Sequence, residues 1–163
     1  MDPELEKRVE EELQRARAHT RAALQYMARF GVRPGGEVRL FFPPEARQRT
    51  IDRIPFAYPV RERVTYRTAP GEFSAVCPFS GLPDYGTLAI EYVPGSWILE
   101  LKSLKYYLIS FRQIGITQEE VTALVYQDLL ARLEDPRYLV VETVYNPRGG
   151  IRTRVRVDSR EQG

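Results

Sequence analysis

From residue 63 onward the chain runs in short stretches of extended pattern, breaks once for two helical segments, and then returns to alternation. Alternation with period two buries one face of a strand, so each run must find a partner strand. The runs are 63–68, 73–76, "GTLAIEYVPG" and "SWILEL", with "RYLVVETVY" and "GIRTRVRV" near the C-terminus. Between the two groups, Ser103 is placed to cap a helix reaching about Arg112. Thr117 and Glu120 have the T-x-x-E spacing of a capping box that opens a second helix to about Glu134. Strands, two helices and strands again predict an α+β domain with a largely antiparallel sheet. Helices on one face leave the other face and the edges needing cover, which association through sheet edges into a ring supplies.

Upstream, residues 3–30 read as one helix, with Asp2 as cap, Pro3 in the first position and Gly31 as terminator. Val9, Leu13, Leu24, Met27 and Phe30 give it an interrupted apolar stripe. The expected organisation is a helical extension and connector over 1–48 and one domain over 49–163, within the capacity of a 163-residue chain. No apolar run approaches the roughly 20 residues of a bilayer span, so no membrane is expected. The charged N-terminus lacks a signal peptide's apolar core, and the expected location is the cytoplasm. A net charge of +2 is weak support for a nucleic-acid partner, and none is expected to bind directly. Arg152, Arg154 and Arg156 would share one face of the last strand, read as a solvated face.

There is one cysteine, Cys77, and one histidine, His19. An intramolecular disulfide and a Cys/His zinc cluster are both excluded within one chain, and no metal site is expected. In "SAVCPFSGLPDYG", Cys77 ends an extended piece before Pro78, Gly81, Pro83 and Gly86 turn the chain, and Asp84 falls seven residues later. A free thiol titrates near 8.5 and needs activation at neutral pH; a carboxylic acid alongside can donate a proton to what the sulfur attacks. Against this, a lone Cys is commonly a small buried hydrophobe, and an Asp after Pro often serves only its turn.

The chain has 24 basic residues, of which three are lysines: Lys7, Lys102 and Lys105. With Ser103 as cap, Lys102 precedes the helix and Lys105 lies in its first turn, where cations oppose the helix dipole. Free N–H groups with cations suit a bound phosphate, although two snorkelling lysines explain the spacing as well. Glu100 interrupts "WILEL", where a buried carboxylate needs a partner. Glu119, at the second position of its helix, is explained by the dipole alone. Arg148 beside the glycines of "NPRGG" offers an anion nest.

Taken together, "FSAVCPFSGLPDYG", "ELKSLKYYLISFR", "QEE" and "NPRGGI" resemble the NADPH-dependent 7-cyano-7-deazaguanine reductases, the nitrile reductases of the queuosine pathway. The resemblance covers about residues 50 to 158. Its most specific element is the motif Glu-(Ser/Leu)-Lys-(Ser/Ala)-hydrophobic-Lys-(Leu/Tyr)-aromatic, which residues 100–107 match position by position. The resemblance implies a tunnelling fold (T-fold), whose subunits join sheets into a barrel with sites between subunits of a homo-oligomer. It implies that Cys77 adds to the nitrile carbon to give a thioimide, with Asp84 as proton donor and NADPH as the source of hydride. It further implies that Leu99, Glu100, Leu101, Gln118 and Glu119 hold the deazapurine. Leu101, Lys102, Arg148 and Gly149 would touch the cofactor, with Lys105 the other lysine of the motif. Gln118 stands where the family usually has His, so a hydrogen-bonding amide replaces a proton shuttle.

Two further readings are open. One is a same-fold, Cys-dependent amidinotransferase acting on the nitrile in tRNA without reduction, against which the lysine motif speaks. The other is a non-catalytic base-binding or assembly protein, against which the joint presence of Cys77 and Asp84 speaks.

Overall fold

The computed structural model describes residues 51–162; the expected helix over 3–30 and its connector lie outside them. The strands are β1 (Arg53–Pro55), β2 (Val64–Arg67), β3 (Phe73–Val76), β4 (Pro83–Val93), β5 (Trp97–Leu99), β6 (Tyr138–Tyr145) and β7 (Arg154–Asp158). Two helices, α1 (Leu101–Ser110) and α2 (Gln118–Leu133), lie between β5 and β6, and a single 3-10 turn, Phe111–Gln113, follows α1.

β4 organises the sheet. Its first half pairs with β3, its second half with β2, and its other edge with β6, which pairs in turn with β7, all antiparallel. Asp84, Gly86, Leu88, Ile90 and Tyr92 alternate along one buried face of β4. Leu139, Val141, Thr143 and Tyr145 continue that face on β6. Helix α2 lays Val121, Val125, Leu129 and Leu133 on it, spaced by one turn and fully buried; each such side chain contributes about 1.5–3 kcal/mol on burial. The capping box forms as its spacing predicts: Thr117 Oγ1 accepts from the Glu120 N–H and donates to Glu120 Oε2.

Several expectations require correction. "SWILEL" yields only three strand residues, which leave the main sheet and pair with β1 in a separate two-stranded ribbon. β1 itself was not expected, because three residues are too few to show a period. The strand in "GTLAIEYVPG" begins earlier, at Pro83, so Asp84 and Gly86 are strand residues rather than parts of a turn. Ser103 is not the cap of α1. Glu100 is, its carboxylate accepting from the N–H groups of Lys102 (2.8 Å) and Ser103 (2.7 Å). The Ser103 hydroxyl instead donates to the Glu100 carbonyl and accepts from the Asp52 N–H, tying the helix start to the approach to β1. The last strand starts at Arg154, leaving Arg152 outside it. Arg154 pairs with Glu142 and Arg156 with Asp158, which accounts for these two members of the basic stripe as a solvated, ion-paired face.

Gly86 is required by close approach. A Cβ there would stand 2.5 Å from the Val144 carbonyl oxygen and 3.1 Å from Tyr145 Cα, backbone atoms of the paired strand that cannot turn aside. Gly86→Ala is therefore expected to lose about 1–3 kcal/mol of stability, read as a lower urea midpoint at unchanged slope.

Candidate active site

Val76 places the site. It pairs with Pro83 across the β3–β4 ladder and, on its other side, forms a parallel bridge to Gly115 through Val76 N–H to Ile114 O (2.9 Å) and Ile116 N–H to Val76 O (3.0 Å). The residue after Val76 is Cys77; three residues after Gly115, α2 begins at Gln118. The loop from Cys77 to Leu82 is closed by its own backbone: Cys77 N–H donates to Leu82 O and Gly81 N–H to Cys77 O, both at 2.8 Å. Ala75 is the register partner of Asp84. Cys77, one residue past the ladder and held to Leu82 by its N–H, falls by that register diagonally across from Asp84.

Asp84 is 5% exposed. Burial pushes its carboxyl above the ordinary aspartate range, outweighing the guanidinium of Arg148 and a hydrogen bond from Gln118, while Glu119 adds to the rise. Arg148 Nη2 lies 2.5 Å from Asp84 Oδ1 but donates its aligned hydrogen bond to the Pro83 carbonyl, at 2.6 Å. The ion pair is one of proximity, and Oδ1 has no aligned hydrogen-bond donor. Gly149 and Gly150, both left-handed (φ +57° and +83°), form the turn that brings Arg148 back over β4. Cys77 is half-buried, and Glu119 is exposed beside Gln118. The structure thus gathers Cys77, Asp84, Gln118, Glu119 and Arg148 at one end of β4.

A second group lies at the start of α1. Leu99 is buried, its N–H donating to the Tyr92 hydroxyl. Glu100 is half-buried, and the N–H groups of Ser103 and Lys102 hold its carboxyl below the usual range. The partner expected for Glu100 is thus its own helix terminus, and the N–H groups at 102 and 103 are not free for a phosphate. Lys102 is the second residue of the helix, not a residue before it, and Lys105 lies in the second turn; both are exposed. Lys105 lines a groove of about 390 Å³ with Leu101, Leu104 and residues of β2 and β4. An ammonium group on a largely apolar groove, with the exposed Lys102 three residues away in the same helix, suits a ligand carrying phosphates and a flat ring, so these residues fit a dinucleotide by donor chemistry. None of the hydrogen bonds or ion pairs of Glu100, Lys102 or Lys105 among the described residues reaches the Cys77 group.

A family model described as QueF: QueF-like protein matches residues 83–163. The NADPH-dependent 7-cyano-7-deazaguanine reductase of Thermotoga maritima is 57% identical over 91 residues, covering 55% of this chain and 66% of that enzyme. The enzyme of the same name from Caldicellulosiruptor bescii is 45% identical over 106 residues, 64% of this chain and 79% of its own. That of Chlorobium luteolum is 41% identical over 111 residues, 68% of this chain and 94% of its own. The chain belongs to this reductase family. Among solved structures, the archaeosine synthase QueF-Like in its apo form aligns with a TM-score of 0.53 and 24% identity, over 63% of this chain and 96% of that one. That likeness shows the shared fold, an α+β arrangement consistent with the expected tunnelling fold. Among the described residues, no helix of this family member is long and apolar enough to cross a membrane.

One residue of this end of β4 escaped the sequence reading. Tyr145, at the end of β6, is buried against the same strand face, and burial pushes its phenol above the ordinary range. Its position in an alternating strand marked it only as core.

The raised Asp84 carboxyl fixes a sign for stability. A group whose folded affinity for the proton exceeds its unfolded one destabilises the fold as pH rises from the unfolded value, about 3.9, through the folded value. Asp84→Asn, which cannot ionise, is therefore expected to melt at least as high as the parent at pH 8. Its advantage should shrink toward pH 4, as read by melting temperature at both pH values.

Proposed function

We propose that this chain reduces the nitrile of 7-cyano-7-deazaguanine to the aminomethyl group, through a thioimide on Cys77, as a step of queuosine synthesis. The observation that carries the reading is Asp84, buried at the end of β4 that the Cys77 loop runs into, with burial pushing its carboxyl above the ordinary range. A nitrile needs a soft nucleophile at carbon and a proton at nitrogen. The Cys77 thiolate adds to the carbon while the Asp84 proton passes to the nitrogen, leaving a neutral thioimide and the Asp84 carboxylate. Glu119 accepts from the N–H edge of the base, and Gln118 orients Asp84 by its side-chain amide. Leu99, Glu100 and Leu101 complete the base pocket. Two molecules of NADPH, held in turn by Leu101, Lys102, Lys105, Arg148 and Gly149, would each supply one hydride; the Cys77 thiolate leaves after the first, as the imine forms, and the second gives the amine. Arg148, which reaches Asp84 and the Pro83 carbonyl in the structure, is 44% exposed, and would exchange those contacts for a phosphate.

The separation of the Cys77 group from the lysine group supports a site completed by a second copy of the chain. Exposed Leu101, Tyr106 and Ile109 on α1 and Phe79, Leu82 and Tyr85 near Cys77 are apolar surface for that contact. The cytoplasm is the compartment this substrate and cofactor suit. Residues 1–48 would stand apart from the reductase unit as an extension.

Intact mass after mixing with 7-cyano-7-deazaguanine should rise by one substrate, and Cys77→Ala should abolish the rise. A Lys102→Ala/Lys105→Ala double variant is expected to form the adduct at the parent rate but to lose at least about 100-fold in NADPH consumption, two lost charge-assisted contacts at about 1.5–3 kcal/mol each. Adduct without NADPH loss in the parent chain would favour the amidinotransferase, and neither signal would leave a binding protein.

A further inference from the structure

Two buried polar atoms among the described residues have no aligned hydrogen-bond partner: Asp84 Oδ1 and the Tyr145 hydroxyl. One is an acceptor and the other can donate. Tyr145 is 2% exposed, and its hydroxyl is sealed from solvent. A buried donor left unmade costs about 1–3 kcal/mol, so a native fold that keeps one needs a reason for it.

The register supplies the reason. Gly86 is the direct partner of Tyr145, and Asp84 lies two residues before Gly86 on the same face. Tyr145 and Asp84 are diagonal neighbours, a separation that an aromatic side chain spans. The ring lies over Gly86, with Tyr145 Cδ1 3.2 Å from where a Gly86 Cβ would stand, and Asp84 is near enough for its charge to act on the phenol. Thr143, the other polar neighbour of the Tyr145 phenol, shares a 2.6 Å hydrogen bond with Thr122 Oγ1 and makes no aligned one with Tyr145. Thr122 in turn reaches the Gln118 carbonyl at 3.3 Å, so this hydroxyl file ends at the start of α2.

We propose that Tyr145 is a positioning residue for the proton donor: its buried hydroxyl is the donor that holds the Asp84 carboxylate when Arg148 turns away to a bound anion. The inference rests on the reading of Asp84 given under Proposed function. Asp84 is then faced by Arg148 from the turn after β6, by Gln118 and Glu119 from α2, by Cys77 from the β3–β4 loop, and by Tyr145 from β6. Of these, Tyr145 alone combines a proton to donate with full burial, so a hydrogen bond formed from it would keep its strength when the mouth of the site changes occupant.

Tyr145→Phe removes the hydroxyl and keeps the ring over Gly86. Its melting temperature should equal or exceed that of the parent, because an unpaired buried hydroxyl is lost. The infrared carboxylic-acid band that disappears in Asp84→Asn should titrate at higher pH in Tyr145→Phe, since a donor favouring the charged form is gone. The rate of adduct formation should fall about tenfold, a part of what a positioned general acid supplies, with no further loss when the change is made in Asp84→Asn. A lower melting temperature with an unmoved band would overturn the proposal, as would an equal loss of rate in the Asp84→Asn background. A parent chain that forms no adduct would remove the proposed chemistry, while the band position would still decide the Tyr145–Asp84 pair.

Discussion

Val76 has backbone partners on both sides, Pro83 in β4 and Gly115 ahead of α2, and the whole candidate site depends on that junction. Backbone hydrogen bonds in a buried strand are close to obligatory, so the junction is rigid in a way a side-chain contact would not be. It brings residue 118 to residues 77 and 84 although it is distant from them along the chain. Asp84 projects from within β4 and Gln118 from the first turn of α2, while Cys77 opens a loop pinned to the end of β3 by its own N–H bond to Leu82 O. Sites built on strands and helices hold geometry better than sites built on loops.

The two groups of site residues have opposite electrostatics. Asp84 is buried and holds its proton above the ordinary range. Glu100 is fastened to two backbone N–H groups and gives its proton up below it. The raised Asp84 carboxyl supports its proposed role as donor, and the lowered Glu100 carboxyl leaves a fixed negative charge at the start of α1. Lys102 and Lys105 then stand beside a helix end whose N–H groups are already satisfied, so any phosphate there meets ammonium groups rather than backbone.

Much of the sheet was legible in the sequence, because a half-buried strand must alternate. β2, β4, β6 and β7 announce themselves this way, and the Thr117–Glu120 spacing announces α2. What stayed hidden had physical causes. β1 and β5 are too short to carry a period. The cap of α1 could not be chosen from sequence alone, because Glu100 and Ser103 are both able to accept from the first N–H groups, and the contest is settled by Asp52, distant in sequence. Asp84 read as a turn residue because prolines and glycines surround it. Gly86 in fact marks a close approach of strands, and only the register shows that it makes room for Tyr145. The candidate residues Cys77, Asp84, Gln118 and Glu119 were legible through family resemblance, whereas their gathering at one end of β4 is a property of the fold.

The central claim is that Cys77 and Asp84 serve one reacting nitrile at one end of β4. An experimental structure of the protein soaked with 7-cyano-7-deazaguanine tests it most directly. The account predicts continuous density from Cys77 Sγ to the former nitrile carbon, the Asp84 carboxyl within hydrogen-bond reach of the nitrogen, and Glu119 on the N–H edge of the base. A base bound away from Cys77, or a thioimide nitrogen facing solvent with Asp84 still held by Arg148, would contradict it.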